Sequence, residues 1–181
     1  MIKNKLYPIF PYIGIPVIGA AIYIFRAERS DPFFTLQYEL LMAFGYAAAV
    51  TDIKAKRIPN GLILAMMAAW VLIMTPRLFI DTDMTIALLV NSALGFGAGG
   101  GLFLLTYVIS RKGLGGGDVK FMAAAGLYLG FDGVLPSMLI GTILAAIFSL
   151  VMILLRKIGR KDTIPLAPFL YVGLLFTSFL A

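Results

Sequence analysis

The sequence predicts an all-α fold, a polytopic transmembrane helical bundle of about six to seven spans. Of its 181 residues, 61% are hydrophobic and 13% are charged, whereas soluble domains have roughly 45–50% apolar and about 25% charged residues. The mean hydropathy is +0.97. No polar stretch is long enough for a separate soluble domain, so residues 1–181 are predicted to form a single integral membrane domain.

Seven apolar segments approach the roughly 20 residues that a membrane-spanning helix needs. Each is separated from the next by a short polar, glycine-containing or proline-containing break. The predicted spans are 6–25, 33–51, 61–80, 84–109, 118–135, 136–155 and 164–181.

The first span and the boundary between the fifth and sixth spans are predicted from different signals. The first apolar segment follows a basic start but has no clear small-residue cleavage site, so we interpret it as a retained helix. Residues 1–32 are expected to be peripheral to the functional core. The stretch "GFDGVLPS" between the fifth and sixth spans indicates a tight turn, and six spans are therefore an alternative to seven.

Lysine and arginine define the predicted orientation. With the N-terminus inside, twelve of the 15 basic residues fall on the inner side, and only Arg26, Arg29 and Arg77 fall on the outer side. We expect a multi-pass protein of the cytoplasmic (inner) membrane. The net charge of +6 then serves topology and contact with the lipid bilayer, and no nucleic-acid partner is expected.

The fourth span contains "GFGAGGG", in which two pairs of glycines have the small-xxx-small spacing that lets helices approach closely. We interpret the motif as a helix-packing surface. The pairs are Gly95 with Gly99 and Gly97 with Gly101.

The chain has no cysteine and no histidine, which excludes disulfides, thiol nucleophiles, Cys/His zinc sites and Ser-His-Asp triads. Carboxylates are the remaining acid–base groups. We expect neither a metal ion nor an organic cofactor.

Two aspartates are the candidate catalytic residues. Asp52 lies in "TDIKAKRIPNG" at the inner end of the second span, and Asp118 lies in "GLGGGDVK" at the inner start of the fifth. Because both fall at the same membrane face, packing of the two helices would bring them together. An ordinary loop is the competing interpretation of the first motif, and a helix N-cap is that of Asp118.

Three glycines precede Asp118, and each costs about 1 kcal/mol relative to alanine inside a helix. They therefore predict a loop, where glycine allows another backbone to approach closely. An N-cap role for Asp118 would leave these glycines unexplained. We expect a substrate-approach loop formed by Gly115, Gly116 and Gly117.

Two neighbouring carboxylates can hydrolyse a peptide without histidine, because one takes a proton from water while the other donates one to the substrate. The helix dipole favours Asp118 as the anion and Asp52 as the protonated partner. Candidates for supporting roles are Lys120, Pro59 and Asn60. The structural alternatives are that Lys120 only extends its side chain to the membrane surface and that Pro59 and Asn60 only mark a helix boundary.

The motifs "GGGDVKFMAAAGLYLG", "DIKAKRIPN" and "IPLAPFLYVG" together resemble those of the type IV prepilin peptidase family, a group of GxGD aspartic membrane proteases, over roughly residues 40–175. The resemblance implies that Asp52 and Asp118 are the catalytic pair. It also implies cleavage of the short basic leader of prepilin-like proteins at the cytoplasmic membrane face, commonly after a glycine.

Long members of that family have a cytoplasmic insertion with paired cysteines and an N-methyltransferase activity. This sequence has neither the cysteines nor the insertion, and it resembles the short, peptidase-only branch, as in Flp (tight-adherence) systems or archaeal preflagellin peptidases. The resemblance therefore implies a peptidase without the N-methyltransferase activity. Two other functions stay open. One is a presenilin-like protease that cuts within transmembrane helices, and the other is a small transporter or channel with membrane acids along an ion path.

Overall fold

The computed structural model describes residues 31–110, 113–159 and 162–180. These residues form five α-helices. The helices are α1 (Pro32–Ala55), α2 (Asn60–Ile80), α3 (Thr82–Ile109), α4 (Gly116–Leu154) and α5 (Ala167–Leu180).

Local sequence explains most of the helix ends. Asp31 caps α1 by accepting the Phe33 N–H at 3.0 Å, and Pro32 occupies the first turn, where it removes no helical hydrogen bond. Asp81 ends α2 and caps α3 through the Met84 N–H at 3.1 Å. Helix α2 continues past Pro76 to Ile80, so this proline does not end the helix.

Helix α4 is broken at Gly130, whose backbone (φ 67°, ψ −173°) is of a kind essentially confined to glycine. A β-carbon on Gly99 of α3 would contact both the Met122 backbone and the Val134 side chain. On a straight helix those two residues would lie about 18 Å apart along the axis. The chain therefore folds back at Gly130, and α4 has an N-terminal arm (116–129) and a C-terminal arm (131–154).

Asn91 of α3 stabilises this turn. Its side-chain oxygen accepts the Phe131 N–H at 3.0 Å, at the start of the C-terminal arm. The Asn91 amide also occupies the space that a β-carbon on Gly130 would need. The predicted tight turn in "GFDGVLPS" is therefore present, and its pivot is the first glycine of that stretch.

The prediction of six to seven spans is not confirmed, because within the described residues four helices, α1 to α4, are long and apolar enough to cross a membrane. The predicted span 6–25 lies outside the described residues. The predicted spans 118–135 and 136–155 both fall on α4, but their predicted boundary lies five residues after the turn at Gly130. Helix α5 has 14 residues, which is shorter than the roughly 20 required.

The glycines of α3 pack against α4 on one face only. β-carbons on Gly95 and Gly99 would meet the α4 backbone at Gly126 and Met122. Gly97 and Gly101 face open space, with no atom within 4 Å of an added β-carbon. The predicted packing role is therefore found for one of the two glycine pairs.

An ion pair between buried Arg77 and exposed Asp31 joins three helix ends at the end of the bundle where α1 begins. The Arg77 guanidinium, 2% exposed, lies 3.0 Å from the Asp31 carboxylate and 4.3 Å from the centre of the Phe34 ring. The Arg77 carbonyl accepts the Thr85 hydroxyl at 3.1 Å. These contacts connect the start of α1, the end of α2 and the start of α3.

We expect Gly95→Ala to destabilise the protein by about 1–3 kcal/mol, because the new β-carbon would lie 2.6 Å from the Gly130 carbonyl carbon and overpack the contact. Gly97→Ala is the matched control, since it changes the same helix two residues away without a clash. Thermal unfolding in detergent measures both. Equal losses of stability in the two variants would contradict the close packing of α3 on α4.

Candidate active site

Asp52 and Asp118 lie in one cavity of about 290 Å³, here called the aspartate cavity. The end of α1, the loop after it and the start of α4 form its walls. The lining residues are Asp52, Lys56, Arg57, Ile58, Gly115, Gly116, Gly117 and Asp118. The structure thus brings together the two aspartates and the three glycines that the sequence singled out.

Asp52 belongs to the last turn of α1 and is 6% exposed. Its Oδ2 accepts the backbone N–H of Ala167, the first residue of α5, at 2.9 Å. A hydrogen bond donated to a carboxylate stabilises its ionised form. The start of α5 therefore both orients Asp52 and favours its negative charge.

Asp118 belongs to the first turn of α4 and is 8% exposed. The N-cap of this helix is Gly115, whose carbonyl accepts the Asp118 N–H at 3.1 Å, so Asp118 is not the cap. Its Oδ1 is buried and accepts no hydrogen bond from the described residues. Burial of the carboxyl group and the neighbouring Asp52 disfavour its charged form, while a backbone hydrogen bond from Gly115 opposes them.

Gly115 is the N-cap residue of α4, and Gly116 and Gly117 are its first two residues. The predicted loop of three glycines is therefore wrong for Gly116 and Gly117, because the cost of glycine in a helix interior does not apply at the first turn. The three glycines have different surroundings. A β-carbon on Gly115 would lie 2.6 Å from Oδ2 of Asp118, and one on Gly117 would lie 3.2 Å from the β-carbon of Ile58. Around Gly116 there is no atom within 4 Å of such a carbon. Gly115 thus leaves room for the carboxylate, Gly117 lets α4 approach the loop after α1, and Gly116 leaves an open edge on the cavity.

The three candidates for supporting roles lie beside the aspartate cavity and do not line it. Lys120 donates a hydrogen bond to the Asn60 side chain at 3.0 Å, which joins the first turn of α4 to the start of α2. Pro59 is the N-cap residue of α2. These contacts fix the loop between α1 and α2 against the helix that carries Asp118.

Sequence reasoning about the two aspartate motifs did not identify the Ala167 N–H or the Lys56, Arg57 and Ile58 wall. The segment "IPLAPFLYVG", residues 164–173, was the available signal for the first, because it contains Ala167. Residue type does not reveal this donor, because every residue except proline has a backbone N–H. Its role becomes visible only when α5 is placed against α1.

The described residues contain no group of three or more acidic, histidine or cysteine side chains that could hold a metal ion. The polar groups that line the aspartate cavity are the two carboxylates, the Lys56 and Arg57 side chains and the backbone around them. Two buried aspartates in one cavity, on helices able to cross a membrane, are the kind of residue pair that aspartic proteases use.

Comparison with known proteins identifies the family. Residues 40–150 match the model of the type IV leader peptidase family, and the chain belongs to that family. The matched region includes both aspartates and the three glycines. The resemblance found in the sequence motifs is thereby confirmed.

Two similar proteins are both named prepilin leader peptidase/N-methyltransferase. The protein of Bacillus subtilis (strain 168) is 29% identical over 170 residues, which cover 91% of this chain and 64% of that relative. The protein of Xanthomonas campestris pv. campestris is 25% identical over 135 residues, or 74% of this chain and 46% of the relative. The chain thus spans less than two thirds of their length. No solved structure matches it.

We expect Gly115→Ala to reduce peptide cleavage at least about tenfold, because its β-carbon would displace the Asp118 carboxylate and small misplacements of catalytic groups are costly. Gly116→Ala adds the same methyl group where there is space and should have a much smaller effect. The measurement is the cleavage rate of purified variants with matched thermal stability. Equal rates for the two variants would show that the geometry at Gly115 does not matter.

Proposed function

We propose that this protein is a membrane-embedded aspartic endopeptidase that removes the short basic leader of type IV prepilin-like proteins. The observation that carries the proposal is the burial of Asp52 and Asp118 in a single cavity at neighbouring helix ends. Membership of the type IV leader peptidase family supports the reaction class, and the relatives' printed names support the substrate class.

The hydrogen bonds assign a role to each carboxylate. Asp52, which accepts the Ala167 N–H, is the anion that takes a proton from the attacking water. Asp118, buried without a donor on Oδ1, is the protonated partner that donates to the scissile peptide group. This assignment is the reverse of the one favoured by the helix dipoles, because a direct hydrogen bond and burial act at closer range than a dipole.

In the proposed reaction, the water oxygen forms a bond to the scissile carbonyl carbon as its proton moves to Asp52. Asp118 donates its proton to the carbonyl oxygen, Asp52 then passes the proton that it took from water to the nitrogen, and the C–N bond breaks as a hydroxyl proton of the intermediate returns to Asp118. The products are a free carboxylate on the leader and a new N-terminal amine. The two aspartates exchange one proton, so they act as a coupled pair.

The shape of the site suits an extended peptide beside the membrane. The open edge at Gly116 lets a substrate backbone approach Asp118 without meeting a side chain. A second cavity of about 560 Å³ adjoins the aspartate cavity and shares Arg57 and Ile58 with it. It offers space for the residues that flank the cleaved bond.

The position of the aspartates along their helices favours leader removal over the two other functions. Asp52 lies four residues before Lys56, the C-cap residue of α1. Asp118 lies two residues after Gly116, the first residue of α4. Cleavage at that level would cut a substrate near the membrane surface. A presenilin-like protease or an ion path calls for acids deeper in the bilayer.

The remaining parts of the proposal concern location and accessory activity. We place the aspartate cavity on the cytoplasmic side of the cell's inner membrane, on the strength of the bias of lysine and arginine toward that side. We assign peptidase activity to this chain without N-methyltransferase activity, following its resemblance to the short branch of the family. Water and substrate suffice for the reaction, with no cofactor.

We expect Asp52→Asn and Asp118→Asn each to reduce leader removal at least about 100-fold, because each removes one half of the proton exchange. Asp132→Asn is the matched control, since Asp132 lies in a different cavity beside the turn of α4. A prepilin with a basic leader is co-expressed, and its N-terminus is determined by mass spectrometry. Normal cleavage by both active-site variants would refute the proposed function, and cleavage inside the apolar helix would favour the presenilin-like reaction.

Single-cysteine variants test the orientation cleanly, because the native chain has no cysteine. We expect Lys54→Cys, at the aspartate end of α1, to react with a membrane-impermeant thiol reagent in inverted vesicles and not in intact spheroplasts. Asp83→Cys, exposed in the first turn of α3 at the other end of the bundle, should show the opposite pattern. The reverse result for this pair would place the aspartate cavity on the outer side.

A further inference from the structure

Lys56 has a backbone conformation that its residue type does not favour. It follows the last residue of α1 with φ 50° and ψ 37°, and its N–H donates to the Asp52 carbonyl at 2.7 Å. Left-handed residues of this kind close many helices, but the residue is usually glycine or asparagine, because a β-carbon is crowded there. Lys56 and Arg156 are the two non-glycine residues with positive φ in the described part of the chain.

The Lys56 side chain makes a long-range contact. Its ammonium group donates to the Thr163 carbonyl at 2.8 Å and approaches the Thr163 hydroxyl at 3.4 Å, although the two residues are 107 positions apart. Thr163 lies in the segment that leads into α5. Lys56 and Arg156 are both exposed.

Lys56 and Asp52 therefore hold the same segment at two points. Asp52 is bonded to the N–H of Ala167, and Lys56 is bonded to the carbonyl of Thr163, four residues earlier. The two side chains come from the last turn of α1 and its cap. A segment held at Thr163 presents the Ala167 N–H to Asp52 in one fixed direction.

We propose that Lys56 is a positioning residue for the aspartate pair, acting through Thr163 and the segment 163–167 to hold the Ala167 N–H on the Asp52 carboxylate. The inference rests on the proposed function. Its effect is on Asp52 and not on the substrate. Loss of the lysine side chain should therefore lower kcat and leave KM nearly unchanged, because substrate contacts stay in place while the base loses its orientation.

Glycine substitution separates positioning from folding. Lys56→Gly removes the ammonium contact but suits the left-handed backbone better, so thermal stability should stay equal or rise while kcat falls between about tenfold and a hundredfold. Lys56→Arg keeps a donor that can reach the Thr163 carbonyl and should restore most of the wild-type kcat. Arg156→Gly, which makes the same backbone change at a residue that does not line the aspartate cavity, should leave kcat unchanged.

The experiment measures kcat, KM and the thermal midpoint of the wild type and the three variants in detergent, with a purified prepilin that has a basic leader and an apolar helix as substrate. Reduced kcat in Lys56→Gly at undiminished stability, with recovery in Lys56→Arg, supports the inference. An unchanged kcat, a rise in KM alone, or parallel losses of stability and activity that arginine does not restore would overturn it.

The controls distinguish the two levels of the proposal. If the wild type and Arg156→Gly cleave the prepilin and Lys56→Gly cleaves it equally well, the positioning role fails and the proposed function stands. If the wild type leaves the prepilin intact, the proposed function fails and the positioning role falls with it.

Discussion

The close approach of α3 to α4 is the constraint on which the site depends. At Gly95 and Gly126 two backbones meet with no side chain between them, and this contact holds the N-terminal arm of α4 in place. Asp118 lies at the start of that arm, two turns before Gly126. Because the arm is rigid and its partner helix is long, a packing contact in the middle of the bundle determines where a carboxylate lies at its end.

The second carboxylate is positioned by different means. Asp52 is fixed within α1, but its charge and direction depend on a backbone donor at the start of α5. The site is thus assembled from three stretches of chain that are far apart in sequence: the end of α1, the glycine-rich start of α4 and the start of α5. An ion pair of buried Arg77 with exposed Asp31 joins the opposite end of the same bundle, so each end has its own set of polar contacts around an apolar middle.

The sequence predicted the helical class, both aspartates and the three glycines, because composition and residue type mark these features directly. It was less successful with the number of spans. The turn in α4 depends on a glycine with positive φ and on the space beside Asn91. The 14-residue length of the final helix depends on packing. Hydropathy measures neither of these. The protonation roles that we propose for the two aspartates rest in part on the hydrogen bond from Ala167. The sequence does not reveal this bond, because every residue type except proline offers the same backbone N–H.

The turn at Gly130 also bears on how the chain enters a membrane. The N-terminal arm of α4, residues 116–129, would be about 21 Å long, whereas the hydrocarbon layer is roughly 30 Å thick. An arm of that length is a poor candidate for independent insertion, and its turn has a single glycine in place of a polar loop. We therefore expect the two arms to leave the translocation machinery together, as one preformed hairpin. Biosynthesis would then deliver Asp118 to its position only after the C-terminal arm has been made.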